Sequence, residues 1–365
     1  MPSLTINLIT PDMLPDAPTV WQAVGSALKT AAKATGKGTS WLVAAGYKNR
    51  HYLAPALNGA IGHRLAQWDH PLAIPMSLRR DGRDLPPTAL APSSTGHVGL
   101  FVHGLMADEV CFVEPLEGLE GPAPYLERTL SLEPLTVRFN SGRHISENGR
   151  ELAALLEATV EQLGDSLQRL TLIGHSMGGL VVRSAVHYGR EAGHGWPARV
   201  GDVVLLGTPN DGAWLEQVSH LATRVLRSIF NLHTRVIGRL IDERSDGIKD
   251  LRWGLLVDED WDGTRGTQAQ GLTGLRYRTA VPPLDHARYI IAGASLSKDA
   301  SSLLATFFGD GQVGVPSAMG ARTPSARRLQ QRIVEGASHF GLLADEGLLE
   351  WVAESLGDDT DAPDS

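Results

Sequence analysis

From Val98 onward the chain repeats one pattern, a short apolar β-rich run followed by a helical stretch, and this repetition restricts the fold more than any other feature. The runs are Val98 to Val102, Leu135 to Phe139, Leu170 to Ile173, Val203 to Leu206, Tyr289 to Ile291 and Gln331 to Val334, with helical spacing over Glu147 to Leu163 and Leu180 to Tyr188. Parallel strands can be joined only by long crossovers, usually helices, so the alternation predicts an α/β protein with a mostly parallel central sheet flanked by helices. With 365 residues, 42% of them hydrophobic and 20% charged, the chain can bury one large core.

Outside this frame, Val20, Trp21, Val24, Ala27, Leu28 and Ala31 form one helical stripe, and a second helix is expected over Ala54 to Gln67. Five prolines between Pro71 and Pro92 surround a short apolar piece, Ala73 to Leu78, which predicts an early strand and an irregular connection. Residues 1–72 are accordingly read as an N-terminal helical extension and 73–356 as the main α/β domain. The mainly helical stretch 213–260 interrupts the alternation and is expected to form a cap. Residues 357–365 carry four Asp among nine residues and read as a solvated acidic tail.

Charge and cysteine content exclude several functions. A net charge of −8 without a basic cluster gives no field for phosphate backbones, so nucleic acid is not an expected partner. Cys111 is the single cysteine, which rules out an intrachain disulfide and a thiolate metal cage. No spaced His/carboxylate cluster suggests a metal, and no cofactor is expected. The first residues lack a basic start and an apolar core, so a cytoplasmic location is expected. No uninterrupted apolar run has the length of a membrane span, although the Val20 to Lys33 stripe would suit peripheral membrane contact.

The chemistry centres on Gly174-His175-Ser176-Met177-Gly178-Gly179, which follows the run Leu170 to Ile173 and precedes helical Leu180-Val181-Val182. Strand, sharp glycine-flanked turn and helix are the context that exposes a nucleophilic serine and aims backbone N–H groups at developing negative charge. His103-Gly104-Leu105-Met106 follows another strand. Because Gly104 permits close approach, the N–H of Leu105 is expected to join that of Met177 as an oxyanion hole. The side chains of His103 and His175 are expected to hold the loop and pack beside the turn.

A serine needs a base and a carboxylate to orient it, in the chain order Ser, acid, His. His339, after the last strand-like run and before the final helical segment, meets that order. Asp310, in Gly309-Asp310-Gly311-Gln312-Val313, is the favoured acid, with Asp299 and Asp285 as competitors.

These segments, with Phe101-Val102-His103-Gly104, Gly207-Thr208-Pro209 and Ser338-His339-Phe340-Gly341-Leu342, resemble the bacterial triacylglycerol-lipase-like esterases of the α/β-hydrolase superfamily, including the branch similar to GPI-inositol deacylases. The resemblance spans about Pro75 to Ser355. It implies an α/β-hydrolase fold, Ser176, Asp310 and His339 as the triad, and Leu105 and Met177 as oxyanion donors. Asn210-Asp211 stand where such enzymes often carry a histidine after Gly-Thr-Pro.

The expected function is hydrolysis of small-molecule or lipid carboxylic esters with an apolar acyl chain. Leu105, Met106, Met177, Phe340 and Leu342 all flank catalytic positions, and Met106 and Phe340 are the expected substrate contacts. Arg138 and Arg143 are the nearby cations that would oppose this reading if one turned inward to receive a carboxylate. A thioesterase, amidase or acyltransferase would use the same residues. A silent lipid- or membrane-binding protein would not need every catalytic position filled, as it is here.

Overall fold

The computed structural model describes residues 54–115, 118–212, 245–261, 278–295, 315–320 and 326–358. The Val20 to Lys33 stripe, residues 213–244 of the expected cap, and the tail beyond Asp358 lie outside them. Eight strands form one sheet: β1 (Ser77–Arg80), β2 (Arg83–Asp84), β3 (His97–Val102), β4 (Glu133–Arg138), β5 (Arg169–His175), β6 (Val200–Leu206), β7 (Arg288–Ser295) and β8 (Arg328–Glu335). Their order is β2-β1-β4-β3-β5-β6-β7-β8. β1 runs antiparallel to β2 and β4, and every pairing from β4 to β8 is parallel. This is a mixed, mostly parallel sheet of α/β-hydrolase type.

The central strands are apolar at successive positions because both faces are covered. Val203 and Leu205 of β6, with Tyr289 and Ile291 of β7, join one core, whereas Val204, Leu206, Ile290 and Ala292 join the other. The first core receives α3 (Ile145–Leu163) and α4 (Met177–Glu191); the second receives α2 (Pro122–Leu130) and α7 (Glu346–Gly357). The helix expected over Ala54 to Gln67 is present at residues 54–67 (α1), and its Ala60, Ile61 and Leu65 enter the first core together with β3 and β4. Among the described residues no helix is long and apolar enough to cross a membrane.

The early strand forms at Ser77–Arg80 rather than Ala73 to Leu78. Pro75 has no N–H to give a ladder, and the residues before it wrap the buried Asn58, which donates to Leu72 O and accepts from Ile74 N. Of the expected cap, the described part contains α5 (Asp246–Trp253), and a short α6 (Val315–Ala318) precedes β8. The start of α5 is tied to the carboxyl edge of the sheet, where Gly247 N–H donates to Gly142 O and Ser245 Oγ to Gly59 O.

At the opposite, amino edge, Asp202 of β6 is fully buried between two arginines on neighbouring strands. Arg288 Nε lies 2.8 Å from one carboxylate oxygen, and Arg169 Nη2 lies 2.7 Å from the other. Arg288 continues outward to the carbonyls of Leu356 and Asp358, fastening the end of α7 to the sheet. Removing one partner of such a pair strands the others in the interior. Asp202→Ala is therefore expected to lower the unfolding free energy by about 3–5 kcal/mol in a urea titration; a loss under about 1 kcal/mol would show that the buried rung does not hold β5, β6 and β7 together.

Candidate active site

β5 ends at His175 and α4 begins at Met177, so Ser176 alone makes the turn from strand to helix. Its φ of 53° and ψ of −126° lie in a region that costs a non-glycine residue about 1–3 kcal/mol. The surroundings leave it no alternative. Ser176 N–H donates to Leu206 O at 2.9 Å, anchoring the turn to the end of β6. A Cβ at Gly174 would stand 2.5 Å from Gly179 Cα, and one at Gly178 would stand 2.0 Å from Val102 O. The motif's glycines thus let strand, helix and the neighbouring β3 approach one another.

The loop after β3 closes behind the serine. A Cβ at Gly104 would lie 2.9 Å from Ser176 Cβ and 3.4 Å from Oγ, so only glycine brings this backbone against the hydroxyl. Among the described residues, the N–H groups of Leu105 and Met177 donate to no acceptor, whereas that of Met106 (φ 59°) donates to Ser141 Oγ at 3.0 Å. His103 holds the loop with both ring nitrogens: Nδ1–H donates to Gly104 O at 2.9 Å, and Nε2 accepts from Phe139 N–H at 3.3 Å. That pattern requires the neutral ring. Burial drives its pKa down to about 4, and the ring stacks on Phe139 with centroids 4.3 Å apart.

His339 follows β8 on the same carboxyl edge and is buried. Its ring reaches the turn after β6 because Gly207, at φ 59°, has no side chain; a Cβ there would be 3.2 Å from His339 Nδ1. His175, immediately before the serine, donates from Nε2 to the His339 carbonyl at 3.2 Å, and the two rings lie 4.9 Å apart. Burial, followed by the neighbouring His339, keeps His175 well below the usual histidine pKa. A neutral ring with Nε2–H thus joins the serine turn to the backbone of the histidine, a link that sequence reading reduced to packing.

Asp310 and Asp299 lie outside the described residues. Both follow β7, whose end at Ser295 is on the Ser176 edge. Asp285 is exposed and precedes β7, at the edge opposite Ser176. Of the apolar side chains near the motifs, Phe340 is half-buried with its ring 5.7 Å from those of His175 and His339. Met106 packs on Gly59 of α1. Leu342 belongs to the core under α7, because the turn after His339 folds back toward that helix.

The arginines that would oppose an apolar site are engaged elsewhere. Arg138 binds Glu109 through Nε at 2.8 Å and Nη2 at 2.5 Å, and Arg143 binds Glu147 and Glu151. Burial works against the Glu109 carboxylate, but Arg138 and Arg79 hold its pKa below the ordinary value. Next to it, burial and the Glu109 charge push Asp108 up to about 7. Among the described residues, no group of three or more metal-ligating side chains occurs.

A model for a domain of unknown function, DUF7379, matches residues 76–247, which include Ser176 and the Gly104 loop and end before His339. No functionally curated protein matches the chain. Similar solved structures include a lipase of Bacillus licheniformis in mature form, 17% identical over 73% of this chain and 94% of that one, with a TM-score of 0.45. An esterase of Pyrococcus furiosus is 11% identical over 72% of this chain and 82% of that one, with a TM-score of 0.42.

Two outcomes follow from the strain and from the buried acid. Replacing Ser176 by Gly should raise the unfolding free energy by about 1 kcal/mol, since glycine adopts the same turn without strain; a destabilised Ser176→Gly would mean that the turn is unstrained. Between about pH 4 and 7 the folded chain holds a proton on Asp108 that the unfolded chain has released, so this carboxyl lowers stability as pH rises through that window. Asp108→Asn should therefore gain stability over wild type at pH 8, by up to a few kcal/mol, and gain little at pH 4. Parallel melting curves from pH 4 to 8 would contradict this.

Proposed function

We propose that the protein is a serine hydrolase of carboxylic esters with apolar acyl chains, acting through an acyl-Ser176 intermediate. The observation that carries the proposal is the φ-positive turn at Ser176, with the Gly104 backbone against its hydroxyl. Strain kept at a polar side chain is a feature of functional sites. In this reading His339 takes the Ser176 proton as Oγ attacks the ester carbonyl, and the N–H groups of Leu105 and Met177 hold the oxyanion. Collapse of the tetrahedral intermediate expels the alcohol, which receives the proton from His339. Water, deprotonated by His339, then attacks the acyl-enzyme, and Ser176 leaves with the returned proton. Asp310 is assigned to orient the imidazole.

Preference for apolar acyl groups follows from where the charges are. Arg138 and Arg143 are bound to Glu109, Glu147 and Glu151, so neither is free for an acyl carboxylate. A charged acyl group would incur several kcal/mol of desolvation, while each methylene buried near Phe340 and Met106 contributes about 0.8 kcal/mol.

Fluorophosphonate should label Ser176, and Ser176→Ala should abolish both labelling and ester hydrolysis. Among p-nitrophenyl esters, kcat/KM should rise from butyrate to octanoate, with the hemisuccinate poorest. Full activity in Ser176→Ala would refute the mechanism; preference for hemisuccinate would refute the apolar acyl site alone.

A further inference from the structure

On the α3 and α4 side of the sheet lies a cavity of about 310 Å³ that neither Ser176 nor His339 lines. Its walls include Val186 of α4, Leu205 of β6, Ile291 of β7 and Leu329 of β8. Into this space, whose wall also carries Asn210, Tyr289 and Gln331, comes Arg183, from the second turn of α4 and only 9% exposed. Its Nη1 donates to the carbonyl and side-chain oxygens of Asn210, both at 3.2 Å. These acceptors are neutral. Among the described residues Arg183 makes no ion pair, and its Nε and Nη2 donate to none of them.

Asp211, the carboxylate whose charge acts on Arg183, is shared with a second cation. Asp211 is held by Arg278 Nη2 at 3.2 Å, and Arg278 Nη1 donates to the same Asn210 carbonyl that Arg183 uses. Two guanidinium groups therefore converge on Asn210 around one acid. Burial, with Arg278 adding to it, lowers the Arg183 pKa to about 10, which leaves the side chain charged at neutral pH. A buried cation facing such a cavity is costly unless an anion pairs with it, and a guanidinium fork suits a carboxylate. The cavity volume falls at the small end of ligand pockets.

We propose that this cavity is a binding site, separate from Ser176, for a monocarboxylate with an apolar chain of medium length. The carboxylate takes the open donors of Arg183, and the chain lies along Val186, Ile291 and Leu329. The inference does not require the hydrolysis proposed above, although that reaction would release acids of this class.

The test is calorimetric titration of the full chain with octanoate and with 1-octanol. Wild type should bind octanoate at one saturable site, at least about tenfold more tightly than octanol. Arg183→Met, which removes the charge, and Leu329→Trp, which fills the cavity from β8, should each weaken octanoate binding by about tenfold or more, whereas binding near Ser176 would be unaffected by either. Absence of saturable octanoate binding, equal affinity for octanol, or undiminished affinity in Leu329→Trp would overturn the proposal. Should Arg183→Met fail to fold, the octanol comparison and Leu329→Trp decide between these outcomes.

Discussion

The carboxyl edge of the sheet depends on one steric fact: three backbone segments meet at Ser176 with no room for a Cβ between them. Gly174 faces Gly179 across the turn, Gly178 faces the carbonyls of Val102 and His103, and Gly104 faces the serine itself. Because these contacts involve backbone, they cannot be relieved by a rotamer change. They fix the serine at positive φ and set the first turn of α4. Each of these conditions entails the others, and the ties from Ser176 to Leu206 and from His175 to His339 carry the constraint to β6 and to the loop after β8.

Arginines on either side of the sheet pair with buried acids. At the amino edge, Asp202 takes up Arg169 and Arg288, and beside the Gly104 loop Glu109 takes up Arg79 and Arg138. His103 and His175 are both held neutral by burial and by hydrogen bonds that use a defined ring nitrogen as donor. Both rings are thereby fixed as neutral hydrogen-bond donors to backbone carbonyls beside the serine turn.

Much of the frame was legible in the sequence, for physical reasons that also explain the misses. The buried parallel strands β3, β5, β6 and β7 are apolar at successive positions, so each was located, with ends that extend further than the apolar run, as at Arg288–Ser295. β1 was displaced because the half-buried apolar residues before it wrap Asn58 rather than pair in the sheet. The strand-turn-helix around Ser176 was legible because glycine spacing is a local signal. The His175 to His339 bond joins residues 164 positions apart through a backbone carbonyl, and a carbonyl leaves no trace in residue type. Arg183 was equally hidden, sitting in a helix read only for its apolar period. Turn chemistry alone did not separate the candidate acids, and of these Asp285 is exposed at the edge away from Ser176.

The central claim is that Ser176 becomes acylated during turnover. Mixing the protein with excess p-nitrophenyl octanoate and quenching in acid within the first turnover tests it directly. A burst of about one equivalent of p-nitrophenol is expected, with an octanoyl mass increment on the peptide containing Ser176. An octanoyl group on a different residue, or hydrolysis without any acylated peptide, would contradict it.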